Sequence, residues 1–102
     1  MAKIICLCGS TRFYDEFREA NRRETMAGKI VLAPGVFGHA GDEITETDKE
    51  LLDILHLKKI DMADEVLIID VDGYVGSSTN AEIDYAKKHG KPVRYLTREA
   101  NQ

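Results

Sequence analysis

The sequence is short of cysteine and proline, with two of each, has no tryptophan, and carries no excess of basic residues. Fourteen Lys and Arg stand against 18 Asp and Glu, for a formal net charge of −4 and a pI of about 5.3. A general nucleic-acid binder needs a basic face for the phosphate backbone, so the balance argues against that class. The only cysteines, Cys6 and Cys8, are two apart in a β-leaning run. They share a face and do not bridge comfortably, and two reduced thiols fit a cytoplasmic protein. They form no C-x-x-C motif, and Cys8 to Arg12 is too short for a phosphatase loop. No apolar run approaches a membrane span, and residues 1–10 lack the form of a signal peptide. The histidines, His39, His56 and His89, have no metal-ligand spacing, and neither a Walker loop nor a G-x-G-x-x-G is present. No metal and no cofactor are expected. Without repeat, linker or low-complexity segment, residues 1–102 read as a single α/β domain with one modest core.

What is present is a regular alternation. Residues 3–8 are apolar without a polar partner face, as in a strand buried on both sides. A helix is expected from Arg12 to about Ala27, with Phe13, Phe17, Ala20 and Met26 as its apolar stripe and Gly28 as its stop. Lys29–Ala33 is a second strand, closed by Pro34-Gly35. Val36–Ile44 has no periodicity and reads as a loop long enough to form a lid or wall. Thr47-Asp48-Lys49-Glu50 has capping-box spacing, so a helix starts near Asp48 and runs to about Ala63, with Leu51, Leu52, Leu55 and Met62 on its apolar side. Glu65–Asp70 is a third strand and Val71–Ser78 a loop. Thr79-Asn80-Ala81-Glu82 again has capping-box spacing, opening a helix to about His89. After Gly90, Val93–Leu96 is a last strand, and Thr97–Gln102 is a polar tail that frays. The order β-α-β-α-β-α-β implies a small doubly wound, flavodoxin- or Rossmann-like parallel sheet, and right-handed crossovers favour the strand order 2-1-3-4.

In that order the sheet switches direction between strands 1 and 3, and the crevice lies at their carboxyl ends. One loop there is Cys8–Arg12. Gly9, Ser10, Thr11 and Arg12 suit a phosphate at a helix N-terminus; equally, Ser10 or Thr11 is an ordinary N-cap and Arg12 a surface charge. The other loop brings Asp70, Asp72, Tyr74, Ser77, Ser78 and Glu82 into thirteen residues. Glu82, one turn into a helix, is placed either to act on an electrophilic carbon or to close the capping box of Thr79. Asp72-Gly73 is also a common turn dipeptide. His56 on the second helix reads as structural or solvated, and His89 near a helix C-terminus is favourable there regardless.

Three stretches then resemble the nucleoside 2-deoxyribosyltransferase superfamily, and within it the small 2′-deoxynucleoside 5′-monophosphate N-hydrolases. They are Ile4–Arg12 (an apolar strand, then C-G-S-x-R), Ala63-Asp64-Glu65-Val66-Leu67, and Glu82-Ile83-x-Tyr85-Ala86-x3-Gly90-Lys91-Pro92-Val93. The resemblance covers most of the chain. It implies cleavage or transfer at the N-glycosidic bond of a (deoxy)nucleoside 5′-monophosphate, with Glu82 at the anomeric carbon. Gly9, Ser10 and Arg12 match the turn that holds the 5′-phosphate, helped by Ser77 or Ser78. Where the family has an aspartate that assists the leaving base, this chain has His56, and Asp72 lies farther ahead of Glu82 than the family's aspartate in that loop. A small nucleotide is the implied partner, in a homodimer or larger homo-oligomer. The substitution at His56 also motivates an alternative, a non-catalytic nucleotide-binding or sensing module on the same fold.

Overall fold

The computed structural model describes residues 2–38 and 41–100. The short Val/Ile/Leu runs become four parallel strands: β1 (Ile4–Gly9), β2 (Ile30–Leu32), β3 (Glu65–Ile69) and β4 (Val93–Tyr95). They are linked through α1 (Tyr14–Met26), α2 (Glu46–Met62) and α3 (Ser77–Lys88), and α4 (Leu96–Ala100) follows the last strand. The sheet order is β2-β1-β3-β4, the 2-1-3-4 arrangement expected from right-handed crossovers. In the central register Cys6 lies beside Leu32 of β2 and Val66 of β3, and Val66 lies beside Val93 of β4.

Helices cover both faces, which is why the strands carry no polar alternation. Side chains still alternate between the two layers. Ile5, Leu7, Leu67 and Ile69 pack against Phe17 and Ala20 of α1. Cys6, Cys8, Val66 and Ile68 pack against Ile60 of α2 and Ile83 and Ala86 of α3. Both thiols therefore face the α2–α3 layer. Gly9 closes β1 where β3 comes nearest: a Cβ there would stand 2.8 Å from the Ile69 carbonyl oxygen.

Several local expectations are corrected. Met26 is 78% exposed, and Glu24 takes the buried place on that side of α1. Glu24 is tolerated because Arg94 reaches it at 2.6 Å and Lys29 at 3.0 Å, and both cations also reach Glu65. Burial works against the Glu24 charge, but Arg94 and Lys29 outweigh it and hold the carboxyl down at about 2. On α2, Leu51, Leu55 and Met62 are exposed, and the helix buries His56 and Ile60 instead. The capping box of α2 belongs to Thr45, whose hydroxyl accepts from the Asp48 N–H while Asp48 accepts from the Thr45 N–H. The α1 N-cap is Phe13, without a side-chain hydrogen bond, so neither Ser10 nor Thr11 caps it. Leu96–Ala100 forms α4 rather than fraying: the buried Asp70 carboxylate accepts the backbone N–H and hydroxyl of Thr97 at 3.0 and 2.7 Å, fixing its start, and residues 101–102 of the expected tail lie outside the described residues. Among the described residues no helix is long and apolar enough to cross a membrane.

Candidate functional site

A cavity of about 790 Å³ opens at the carboxyl ends of β1 and β3, where the strand order reverses. That volume suits a small organic ligand. Gly9, Ser10 and Thr11 line one side, and Gly76, Ser77, Ser78 and Thr79 another. His56, Lys59, Asp53 and Lys49 come from α2, and Glu82 from α3. Pro34–Val36, Gly38 and Ile44 close the cavity from the glycine loop. His39 in that loop lies outside the described residues.

The α3 N-terminus decides whether Glu82 is a capping residue. The helix starts at Ser77 with Gly76 as N-cap, and no side chain satisfies its first N–H groups. Thr79 is therefore inside the helix and Glu82 is not its capping-box partner. One turn farther on than the capping reading requires, Glu82 turns inward, and its Oε1 stands 3.7 Å from His56 Nε2. Burial leads in pushing its carboxyl up to about 7; His56 opposes the shift, and Cys6 and Asp53 add to it. Near neutrality this group exists in both protonation states, which suits acid–base or nucleophilic work.

His56 is held from below by the thiols. Its Nε2 lies 3.2 Å from Cys8 Sγ and 3.8 Å from Cys6 Sγ. Burial disfavours the imidazolium, yet contact with Cys6 and the field of Cys6 and Glu82 outweigh it and raise the imidazole pKa. The two thiols divide their acidity. Hydrogen bonding from Cys8, aided by His56, lowers Cys6 to about 6 against the opposing effect of burial. The same contact and deep burial raise Cys8. The pair thus carries one negative charge far more readily than two.

Of the remaining expected site residues, Ser10 is committed to Arg12: its hydroxyl accepts from the Arg12 backbone N–H at 3.3 Å and from Nε at 3.2 Å. Arg12 in turn donates from Nη2 to the Tyr74 hydroxyl at 3.2 Å and lies 4.4 Å over the Tyr74 ring. The two crevice loops are tied together there, and Tyr74 lines the cavity while Arg12 flanks it. Asp72 is not brought to the site. It is exposed, in a 3-10 turn at Val71–Gly73 with a left-handed φ of 53°, and is absent from the cavity wall. Aspartate is among the residues that tolerate this conformation, so its position reflects the turn. His89 serves locally, with Nδ1 2.8 Å from the Tyr85 carbonyl and its ring stacked on Tyr85.

Sequence reasoning missed Asp53, Lys49 and Lys59 as cavity residues. Lys59 lies three residues after His56, one helical turn away, so it shares the face of α2 that lines the cavity. Its ammonium donates to the Ala33 carbonyl at 2.8 Å, pinning the end of β2 to α2. It also missed the grouping of Cys6, Cys8 and His56, because about 50 residues separate the histidine from the thiols. Comparison with models of known protein families and with curated proteins found no match to this chain.

Proposed function

We propose that this chain acts on the N-glycosidic bond of a (deoxy)nucleoside 5′-monophosphate, by hydrolysis or by transfer of the sugar. The observation that carries the reading is Glu82: it is free of any capping role, largely buried at the cavity wall with its side chain 16% exposed, and paired with His56. The transition state of such a cleavage is oxocarbenium-like, and a carboxylate beside the ring stabilises it. In the proposed step ionised Glu82 faces the anomeric carbon. The bond electrons leave with the base, which takes a proton from the His56 imidazolium. Water then adds to the anomeric carbon and returns a proton to His56. The 5′-phosphate is assigned to the cavity end formed by the Gly9–Thr11 turn and the uncapped α3 N-terminus with Ser77 and Ser78. Arg12, held on Tyr74, supplies positive charge at its edge. No metal or cofactor is required by this step, and Asp72 has no part in it.

The exposed α2 residues Leu51, Ile54, Leu55 and Met62 supply an apolar face for a second copy of the chain, in line with a homodimer. A cytoplasmic location is the setting that two reduced thiols favour.

The test is a panel of ribo- and deoxyribonucleoside 5′-monophosphates, with free base measured by chromatography. Base release that is lost in Glu82→Ala supports the proposal. Release unaffected by Glu82→Ala, or none from any nucleotide, overturns it. Nucleotides that raise the melting temperature but stay intact would establish the alternative, a non-catalytic nucleotide module; a ligand at a hundredfold excess over its dissociation constant stabilises by about 2.7 kcal/mol.

A further inference from the structure

Beneath the cavity floor, Cys6, Cys8 and His56 bring three ligand atoms within 4.8 Å of one another. Both thiols are wholly buried and His56 nearly so. A buried cysteine commonly packs as a small apolar side chain. Apolar packing alone gives no reason for two sulfurs to converge on one imidazole nitrogen, with a carboxylate oxygen nearby on that same nitrogen. His56 Nε2 lies 3.2 Å from Cys8 Sγ, 3.8 Å from Cys6 Sγ and 3.7 Å from Glu82 Oε1. Around a tetrahedral zinc, with Zn–S of about 2.3 Å and Zn–N of about 2.0 Å, neighbouring N and S ligand atoms stand about 3.6 Å apart. The two nitrogen–sulfur distances bracket that edge.

From this geometry we infer that Cys6, Cys8 and His56 form a binding site for a soft or borderline divalent cation of the zinc class, with Glu82 or a water as the fourth ligand. Two thiolates and an imidazole select such a cation over magnesium or calcium, which prefer oxygen. Three different elements hold the donors: β1 carries both thiols, α2 the imidazole and α3 the carboxylate. The cation enters from the cavity, which His56 and Glu82 both line. Two thiols give up their protons on binding, and the cation takes the lone pair of Nε2. Its presence therefore removes His56 Nε2 as a proton donor and, where Glu82 is the fourth ligand, draws that carboxylate from the anomeric carbon. The site stands apart from the nucleotide proposal; only this inhibitory consequence rests on it.

The test is titration of the reduced 102-residue chain with Co2+, without nucleotide. Cys6 and Cys8 are the only cysteines, so any thiolate-to-cobalt absorption comes from them. The inference predicts one Co2+ per chain, a near-ultraviolet thiolate band, the intense visible bands of a tetrahedral ion, and displacement by Zn2+. Cys8→Ser removes or reshapes the thiolate band. His56→Gln keeps the thiols and weakens binding by at least about a hundredfold, the upper range of what even outer-shell partners cost. Should Cys8→Ser lose its fold by circular dichroism, the wild-type spectrum and His56→Gln decide between them. Absence of a thiolate band at saturating Co2+, or unchanged affinity in a folded His56→Gln, overturns the inference. In a separate arm, Zn2+ suppresses base release reversibly by chelator; release that persists under Zn2+ with an intact Co2+ spectrum overturns the inhibitory consequence and the proton-donor role of His56, not the metal site.

Discussion

Replacing Glu82 by glutamine should stabilise the protein, and only above mildly acidic pH. The folded chain holds this carboxyl at about 7 against an ordinary 4.5, chiefly through burial. Its native form therefore binds more protons than the unfolded chain between those values, and stability falls as pH rises through the window. Once the group is fully ionised, a shift of that size corresponds to about 3 kcal/mol. Glutamine is neutral at every pH and close to the protonated acid in shape. In chelator, urea unfolding at about pH 8 should show Glu82→Gln more stable than wild type by roughly 2–3 kcal/mol, less whatever the lost His56 partnership contributes. At about pH 4.5 the two should coincide within about 0.5 kcal/mol. The raised His56 adds a slope of the same sign in both proteins, because its stabilisation is complete below its unfolded value and fades as pH rises through the folded one. The lowered carboxyls of Glu24 and Glu65 act in a separate, more acid window, where stability is lost as they are protonated. A variant that is destabilised at high pH, or shifted equally at both pH values, would refute the placement of Glu82 in a desolvated wall.

Three further outcomes follow from the packing. Arg94→Met should destabilise by about 2–4 kcal/mol in urea unfolding, because it leaves the nearly buried Glu24 and Glu65 to share Lys29, with only the more exposed Arg23 beside Glu24; a loss below about 0.5 kcal/mol would mean the network is solvent-screened. Gly9→Ala should lower stability by about 1–3 kcal/mol, since its methyl meets the Ile69 carbonyl, with the dependence on urea concentration unchanged. Thr45→Ala should cost about 0.5–2 kcal/mol and Thr47→Ala almost nothing in thermal or urea melts; the reverse order would place the α2 cap where the sequence first suggested it.

How far each feature could be read from the chain depended on the range of the physics behind it. The strand order followed from the unbroken apolar runs and from chain handedness, which act on whole elements. Caps were harder. Thr45-x-x-Asp48 and Thr47-x-x-Glu50 both satisfy the spacing, and only the reciprocal bonds of Thr45 and Asp48 choose between them. At α3 the pattern Thr79-x-x-Glu82 misled, because Gly76 starts the helix early and swings Glu82 toward the cavity. The buried Glu24 was hidden because its acceptability depends on Arg94, seventy residues away. Leu51, Leu55 and Met62 looked like core from periodicity, yet the sheet meets α2 through the face that carries His56 and Ile60. Convergence of Cys6, Cys8 and His56 depends on packing β1 against α2, which no local spacing records.

The most direct measurement of the central claim is the crystal structure of Glu82→Gln with a 2′-deoxynucleoside 5′-monophosphate. The phosphate is expected between the Gly9–Thr11 turn and the α3 N-terminus, and the anomeric carbon about 3–3.5 Å from the side-chain end at position 82. A nucleotide seated with its sugar turned away from position 82, or bound outside this cavity, would contradict it.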